Sequence, residues 1–373
     1  MMRMQCKREV LLLMVLALLL TGCGAPAAKA ETTAPETTAA ETTVPETTAA
    51  PATEPTAEPT TVPTEPPEER FLLTFAGDCT FGANPVNYFA GFGFIKTVGE
   101  DYRYPFRNVI SWFENDECSF INLEGPLTDA GNPVQKKHTF KGPTDYVQIM
   151  TDNSVEAVTI ANNHSQDYGQ VGYDSTVATL HQAGIPFVER DGSCVFTTEN
   201  GLKIGMYAAV YYSLDTEAIT AGIAALKEQA CDLVIFAPHW GVEGTYRPTE
   251  AQVELAHAVI DAGADIVWGS HPHVLQPVEE YNGGMIYYSL GNFSFGGNGY
   301  PRDYDTALLQ QEVIRAGDGT VELGELTIVP ASVSSIPERN NYQPTPCEPG
   351  TEMYSRVLQK LDGTWTGPNL PIQ

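Results

Sequence analysis

From residue 71 onward the chain alternates short apolar runs with polar, glycine-bearing turns. Runs of strand length occur at 71–76, 118–123, 155–160, 203–210, 233–237, 266–268, 285–290, 306–314 and 321–329. Between several of them the apolar spacing lengthens to three or four. Residues 173–183 place Val177, Leu180 and His181 on one face before Gly184, and residues 250–262 gather Val253, Ala256, Val259 and Ile260 before Gly263. That is the pattern of amphipathic helices closed by glycine. A further helix is expected at 351–361. Strands alternating with helices predict an α/β body. The runs between 285 and 329 lack helical spacing and read as an antiparallel set, expected in a mixed second sheet.

Upstream the pattern is of another kind. Arg3, Lys7 and Arg8 precede an unbroken apolar run from Val10 to Leu20, and Leu20-Thr21-Gly22-Cys23 follows. This is the layout of a secretory signal, with an apolar run well short of the ~20 residues that a spanning helix needs. The tetrapeptide resembles a bacterial lipobox, which implies cleavage before Cys23 and lipidation of that cysteine. More than one acyl chain gives stable anchoring, so the expected location is the outer face of the cytoplasmic membrane. Residues 24–69 are a Thr, Pro and Glu tract in which ETTAPETTAA at 31–40 is followed by ETTVPETTAA at 41–50. Such a tract has too little apolar surface to offset its ordering entropy and is expected to be a disordered tether. The expected organisation is a signal at 1–23, a linker at 24–69 and one domain at 70–373, with a motif core at about 71–300 and a C-terminal extension at 301–373.

Charge narrows the partners. The formal net charge is −27; the first 30 residues carry four basic side chains and one acidic, residues 31–69 carry nine glutamates and no base, and the body therefore holds −21. A body this acidic excludes nucleic acid, which is bound through Lys and Arg on its phosphates. A small anionic group held by a metal remains compatible, because a bound cation reverses the local field. With Cys6 in the signal and Cys23 lipidated, five cysteines remain at irregular spacing and without a CxxC pair. They predict buried thiols rather than a disulfide framework or a thiolate zinc site.

The candidate chemistry sits at the strand ends, where open α/β sheets bind ligands. FLLTFAGDCTFG leaves Asp78 after the first strand and INLEGPLT leaves Glu124 after the second; carboxylates there are hard oxygen ligands for a divalent cation. ANNHSQDYG offers Asn163 and His164, with Asp167 placed to fix the imidazole tautomer. PHWGVE adds His239, with Trp240 as a packing wall and Glu243 as an orienting carboxylate. GSHPHVLQP adds His271 and His273, which in extended backbone point to one side. Alone, Asp78 reads better as a cap, and the Asn162-Asn163 pair has a polar turn as its alternative reading. Ser289, Asn292 and Phe293 are candidates for the rim, and Arg107, Lys141 and Arg247 for anion contacts. The donor set predicts one or two divalent ions of Mn, Zn or Fe. His138, His181 and His257 read as packing or surface residues.

Taken in order, GDCTFG, NLEGPLT, ANNHSQDYG, HWGVE, GSHPHVLQP and SLGNF resemble the capsule-synthesis protein CapA family, named for poly-γ-glutamate capsule production. That family is similar to the calcineurin-like metallophosphoesterases. The resemblance implies their two-sheet α/β/β/α sandwich and their dinuclear site. Asp78 and His273 would then serve a first metal, Asn163, His239 and His271 a second, and Glu124 would bridge them. His164, oriented by Asp167, would contact a phosphoryl oxygen or protonate a leaving group. Two positions depart from the phosphoesterase pattern. Thr80 stands where those enzymes carry a histidine, and Glu124 replaces a bridging aspartate; both changes fall on the first metal. Three functions follow: a metal-dependent, phosphoesterase-like hydrolase acting on an envelope polymer or phosphoester, a non-catalytic scaffold working with the capsule synthesis machinery, and a substrate-binding lipoprotein with a vestigial site.

Overall fold

The computed structural model describes residues 67–86 and 91–371; the signal, Cys23 and the repeat tract up to residue 66 lie outside the described residues. β1 (Glu69–Thr80), β2 (Cys118–Leu123), β3 (Ala157–Thr159) and β4 (Phe187–Val188) run parallel and open a first sheet. The chain then builds a second sheet from β5 (Gly192–Thr197), β6 (Lys203–Val210), β7 (Leu233–His239), β8 (Ile266–Trp268), β9 (Val278–Tyr281) and β10 (Gly284–Tyr287). It returns to the first with β11 (Asn292–Phe295), β12 (Asp305–Arg315), β13 (Val321–Ser332) and β14 (Thr345–Pro346). The strand orders are β14-β13-β12-β1-β2-β3-β4, with β11 alongside the end of β1, and β5-β6-β7-β8-β10-β9.

Alternation along the strands assigns the layers, because successive side chains leave opposite faces. Ile204, Met206, Ala208 and Val210 of β6, with Leu233 and Ile235 of β7, share a central core with Leu73, Phe75 and Phe120 of the first sheet. The intervening Tyr207, Ala209, Val234 and Phe236 join Ile219, Ile223, Leu255 and Val259 from the helices Thr216–Glu228 and Glu250–Asp261. On the far side Ile121, Leu123 and Val158 pack with Leu180 of the helix Gly169–Ala183. The result is an α/β/β/α sandwich whose central strands are buried on both faces, which accounts for their near-continuous apolar runs.

Both sheets are mixed, but the antiparallel pair does not extend the second sheet as expected. β12 pairs antiparallel with β1 from Glu69 to Phe75, and β13 follows on its outer side. Apolar pattern specifies a strand and its buried face, not which open edge receives it. Residues 301–371 thus complete the first sheet, and the helix Glu352–Leu361 is tied to it by charge. Buried Lys360 donates to Asp303 at 2.6 Å and Asp305 at 2.7 Å, and Arg356 engages Asp305 through two bonds of 2.7 Å. The five body cysteines are free thiols.

Phe75 joins the two sheets, stacking on Phe120 at 4.8 Å and meeting Tyr287 and Trp268 at 5.5 and 5.8 Å. Phe75→Ala is expected to cost about 3–5 kcal/mol, read as a lowered denaturation midpoint. Val171→Ala, on an exposed helical face, should stay within about 0.5 kcal/mol of the parent.

Candidate metal centre

Five parallel strands of the two sheets, β1, β2, β3, β7 and β8, end at one place. β1 reaches it because Gly77 lets the strand press against the 290–291 turn: a Cβ there would lie 2.0 Å from the Gly291 carbonyl oxygen, which accepts the Asp78 N–H at 2.8 Å. Asp78 is fully buried and accepts from Asn122 Nδ2 at 2.8 Å. Asn122 in turn accepts from Asn162 Nδ2 at 3.0 Å, and Asn162 Oδ1 accepts the His164 N–H at 3.0 Å. Asn162 is therefore a buried brace that shapes the loop, more than a polar turn.

Glu124 lies at the centre. It is fully buried, yet neither carboxylate oxygen has a hydrogen-bond partner. Its Oε1 is ringed by Nε2 of His273 at 3.7 Å, His164 at 3.8 Å and His239 at 3.9 Å. Those spacings are too long for hydrogen bonds and leave room for an atom that accepts lone pairs from all of them. Beside them Asn163 Oδ1 approaches His239 Nε2 at 3.0 Å. His271 adds a buried Nδ1 without a partner, its ring stacked 4.8 Å from Tyr211 and tilted against His239 at 4.7 Å. The structure thus brings together every residue expected as a ligand: Asp78, Glu124, Asn163, His239, His271 and His273.

Orphaned buried oxygens and nitrogens of this composition fit a divalent cation. Asp78, Glu124 and His273 can present ligand atoms within 4.8 Å of one another. The outer ring nitrogens of His239 and His273 are occupied, as metal-bound imidazoles require. His239 Nδ1 sits 2.8 Å from Ser270 Oγ. His273 Nδ1 faces two acceptors, Asn292 Oδ1 at 2.9 Å and Asp78 Oδ2 at 3.1 Å, so it carries the proton and Nε2 is left for a ligand bond.

The electrostatics agree. Burial pushes the Glu124 carboxyl up to about 8, with His273 opposing and Asp78 adding to the rise. Burial holds His239 well below the ordinary imidazole value and His271 down at about 3, so both are neutral donors. Burial also disfavours charge on His273, but Glu124 and Asp78 outweigh it and raise that ring to about 10. In the metal-free site a proton on His273 stands in for the cation, and metal binding must release it.

His164 is built differently. Its Nδ1 lies 2.6 Å from Asp167 Oδ2, and that carboxylate also accepts the Phe140 N–H at 2.7 Å and Lys136 Nζ at 3.0 Å. Lys136 further donates to the Asn163 carbonyl at 2.8 Å. Burial lowers the His164 pKa, and Asp167 opposes that shift. The pairing of His164 with Asp167 is present as expected from their spacing. Lys136, Asn122 and Ser270, which support it and its neighbours, were not singled out from the sequence, and only the adjacency of Lys136 to Lys137 and His138 could have drawn notice.

Several expectations are corrected. The segment carrying His271 and His273 is not extended: both residues have positive φ, 98° and 55°, so a left-handed bend around Pro272 turns the two rings inward. Glu243 does not orient His239, whose Nδ1 is taken by Ser270; it lies instead by His271 and His273. Ser289 and Phe293 are fully buried behind the site, and of the expected rim residues Asn292 reaches His273. Arg107 pairs with Asp101, Arg247 donates to the Trp365 carbonyl and Lys141 lies over the Tyr168 ring. The cleft of about 440 Å³ that opens onto His164 and His273 has Lys137, His138 and Arg302 in its wall instead.

Residues 72–297 match the family described as bacterial capsule synthesis protein PGA_cap. The chain is 29% identical over 309 residues to "Capsule biosynthesis protein CapA" of Bacillus anthracis, covering 73% of this chain and 72% of that one. It is 32% identical over 248 residues to "PGA biosynthesis protein CapA" of Bacillus subtilis, covering 60% and 65%. Among solved structures it is similar to the NAD nucleotidase NadN of Haemophilus influenzae, at 13% identity and a TM-score of 0.41 over 80% of this chain and 63% of that one.

A cation that binds only the folded chain raises its stability by mass action, about 2.7 kcal/mol at a hundred times the dissociation constant. Mn²⁺ or Zn²⁺ should therefore raise the melting temperature of the EDTA-stripped protein. Glu124→Gln should melt at or above the stripped parent, since it removes an unpartnered buried carboxylate, and should lose the metal-dependent increment. An equal increment in both proteins would remove Glu124 from the centre.

Proposed function

Because the chain belongs to the PGA_cap family of bacterial capsule synthesis proteins, we propose that its buried carboxylate–histidine cluster is a metal-dependent hydrolase site. It acts on a phosphoester of an envelope polymer or its precursor, with poly-γ-glutamate production as the setting suggested by the relatives' names. The observation that carries the reading is the unpartnered Glu124 carboxylate ringed by three imidazoles, with one of them, His164, held by its own carboxylate. A structural cation does not call for that last arrangement. Asp78, Glu124 and His273 would hold one ion, and Glu124, Asn163, His239 and His271 another. Bound ions of this kind polarise a phosphoryl oxygen and lower the pKa of water.

The chain's own groups supply the rest. Asp167, fixed by Lys136 and the Phe140 N–H, holds the Nδ1 proton of His164, so Nε2 is the atom presented to substrate. Burial keeps that ring neutral at rest. An anionic phosphoryl group beside it adds a second counter-charge, so Nε2 takes up a proton as substrate seats and delivers it to the leaving oxygen. Lys137, His138 and Arg302 give the cleft a basic side in a strongly acidic body, which draws an anionic group to the one place where it can react. Lipidation at Cys23, inferred from the lipobox-like LTGC, would carry this site to the outer face of the cytoplasmic membrane.

A second reading, a non-catalytic metal-holding scaffold of polymer synthesis or export, is favoured by Thr80. Its Oγ1 donates to the Glu124 carbonyl at 2.8 Å, so β1 provides one ligand fewer than the phosphoesterase pattern.

On a panel of phosphate mono- and diesters, His164→Ala should lower kcat by about 10²–10⁴ with metal content unchanged, and Asp167→Asn should act in the same direction. Equal rates for parent and His164→Ala would end the general-acid assignment. Surface polymer restored in the native host by the inactive His164→Ala protein would establish the scaffold reading. Cys23→Ser should move the protein from the membrane fraction to the medium; unchanged fractionation would refute lipid anchoring.

A further inference from the structure

The loop after β7 places an uncommitted carboxylate next to two histidines. Gly241 and Gly244 adopt positive φ of 79° and 73°, a conformation open to glycine at little cost, and the loop folds back so that the Gly244 N–H donates to the Pro272 carbonyl at 2.8 Å. The backbone around Glu243 is thereby pinned to the residue between His271 and His273. A Glu243 carboxylate oxygen and one ring nitrogen from each histidine lie within 4.8 Å of one another. Metal–ligand bonds of about 2.0–2.2 Å place three ligand atoms about 3.3–3.8 Å apart, so movements of less than about 1 Å per side chain close the set. Glu243 accepts no hydrogen bond from any described residue, and His271 Nδ1 is buried without a partner.

The neighbouring triad of Asp78, Glu124 and His273 is short of a donor, since Thr80 is spent on the Glu124 carbonyl. His273 belongs to both triads. We propose that Glu243 is a metal ligand, which joins Asp78, Glu124 and His273 around the first divalent cation and supplies the donor that β1 does not, so that this ion is completed from the loop after β7 while the other ion keeps the ligands named above. This inference rests on the metal-dependent reading above. Three carboxylates and an imidazole suit Mn²⁺ or Zn²⁺ and leave coordination positions open. Glu243 and His273 both line the cleft, so those positions face incoming substrate.

The test uses the full chain, stripped with EDTA and loaded with Mn²⁺ alone and then Zn²⁺ alone, with bound equivalents counted after gel filtration and affinities taken by calorimetry. The parent is expected to hold two ions, and Glu243→Ala to hold one, or to bind the second at least about tenfold more weakly. Glu243→Gln should repeat that loss and Glu243→Asp should recover part of it. In Mn²⁺-loaded samples, electron paramagnetic resonance should show spin coupling between two ions in the parent and an isolated ion in Glu243→Ala. Retention of the parent's stoichiometry and affinity in Glu243→Ala, whether that stoichiometry is one or two, would overturn the assignment while leaving the metal centre standing. A parent that binds no divalent ion would overturn the metal-dependent reading itself.

Discussion

A carboxylate taken out of water without a single hydrogen bond is among the least favourable groups a fold can carry, costing several kcal/mol unless a charge compensates it. Glu124 is such a group, and its surroundings are organised around that liability. The Asn122–Asn162 bridge, the left-handed turns at His271 and His273, and the close approach of β1 to the 290–291 turn each fix a donor toward it. None of these features makes sense as packing alone. Together they suit the site to a divalent cation.

The sandwich makes that arrangement possible. Parallel strands from two sheets deliver their carboxyl ends to one locus, and each loop needs only a few residues to turn a side chain inward. Because the strands beneath are buried on both faces, the loops rest on a rigid base. The nitrogens and oxygens that would otherwise move to satisfy one another are held apart at 3.7–3.9 Å. Rigidity keeps the site from collapsing on itself.

The donors were legible in the sequence because each follows an apolar run directly, so position and chemistry reinforced one another. That held for Asp78, Glu124, Asn163, His239, His271 and His273, and for the His164 to Asp167 spacing. Lys136 was not legible: it arrives from the middle of a polar loop, 31 residues from its partner Asp167, and nothing in a linear pattern marks such a return. The conformation around Pro272 was misread because alternation in a strand and a left-handed bend can both bring residues two apart to one side. The placement of β12 and β13 depended on which sheet edge was free, a long-range property. The short strands β4, β9, β11 and β14, two to four residues each, exist by pairing with neighbours and have too few positions to show a period.

The family match ends at residue 297, but the cleft does not. Arg302, Asp303 and Leu370 stand in its wall, and the Leu370 N–H donates to the Gly244 carbonyl at 2.9 Å, on the loop that carries Glu243. The segment that completes the first sheet therefore also frames the entrance to the site. The candidate ligands lie inside the shared family region, whereas one side of the entrance lies outside it. Such a division lets the last 70 or so residues reshape one side of the cleft without touching a single candidate ligand.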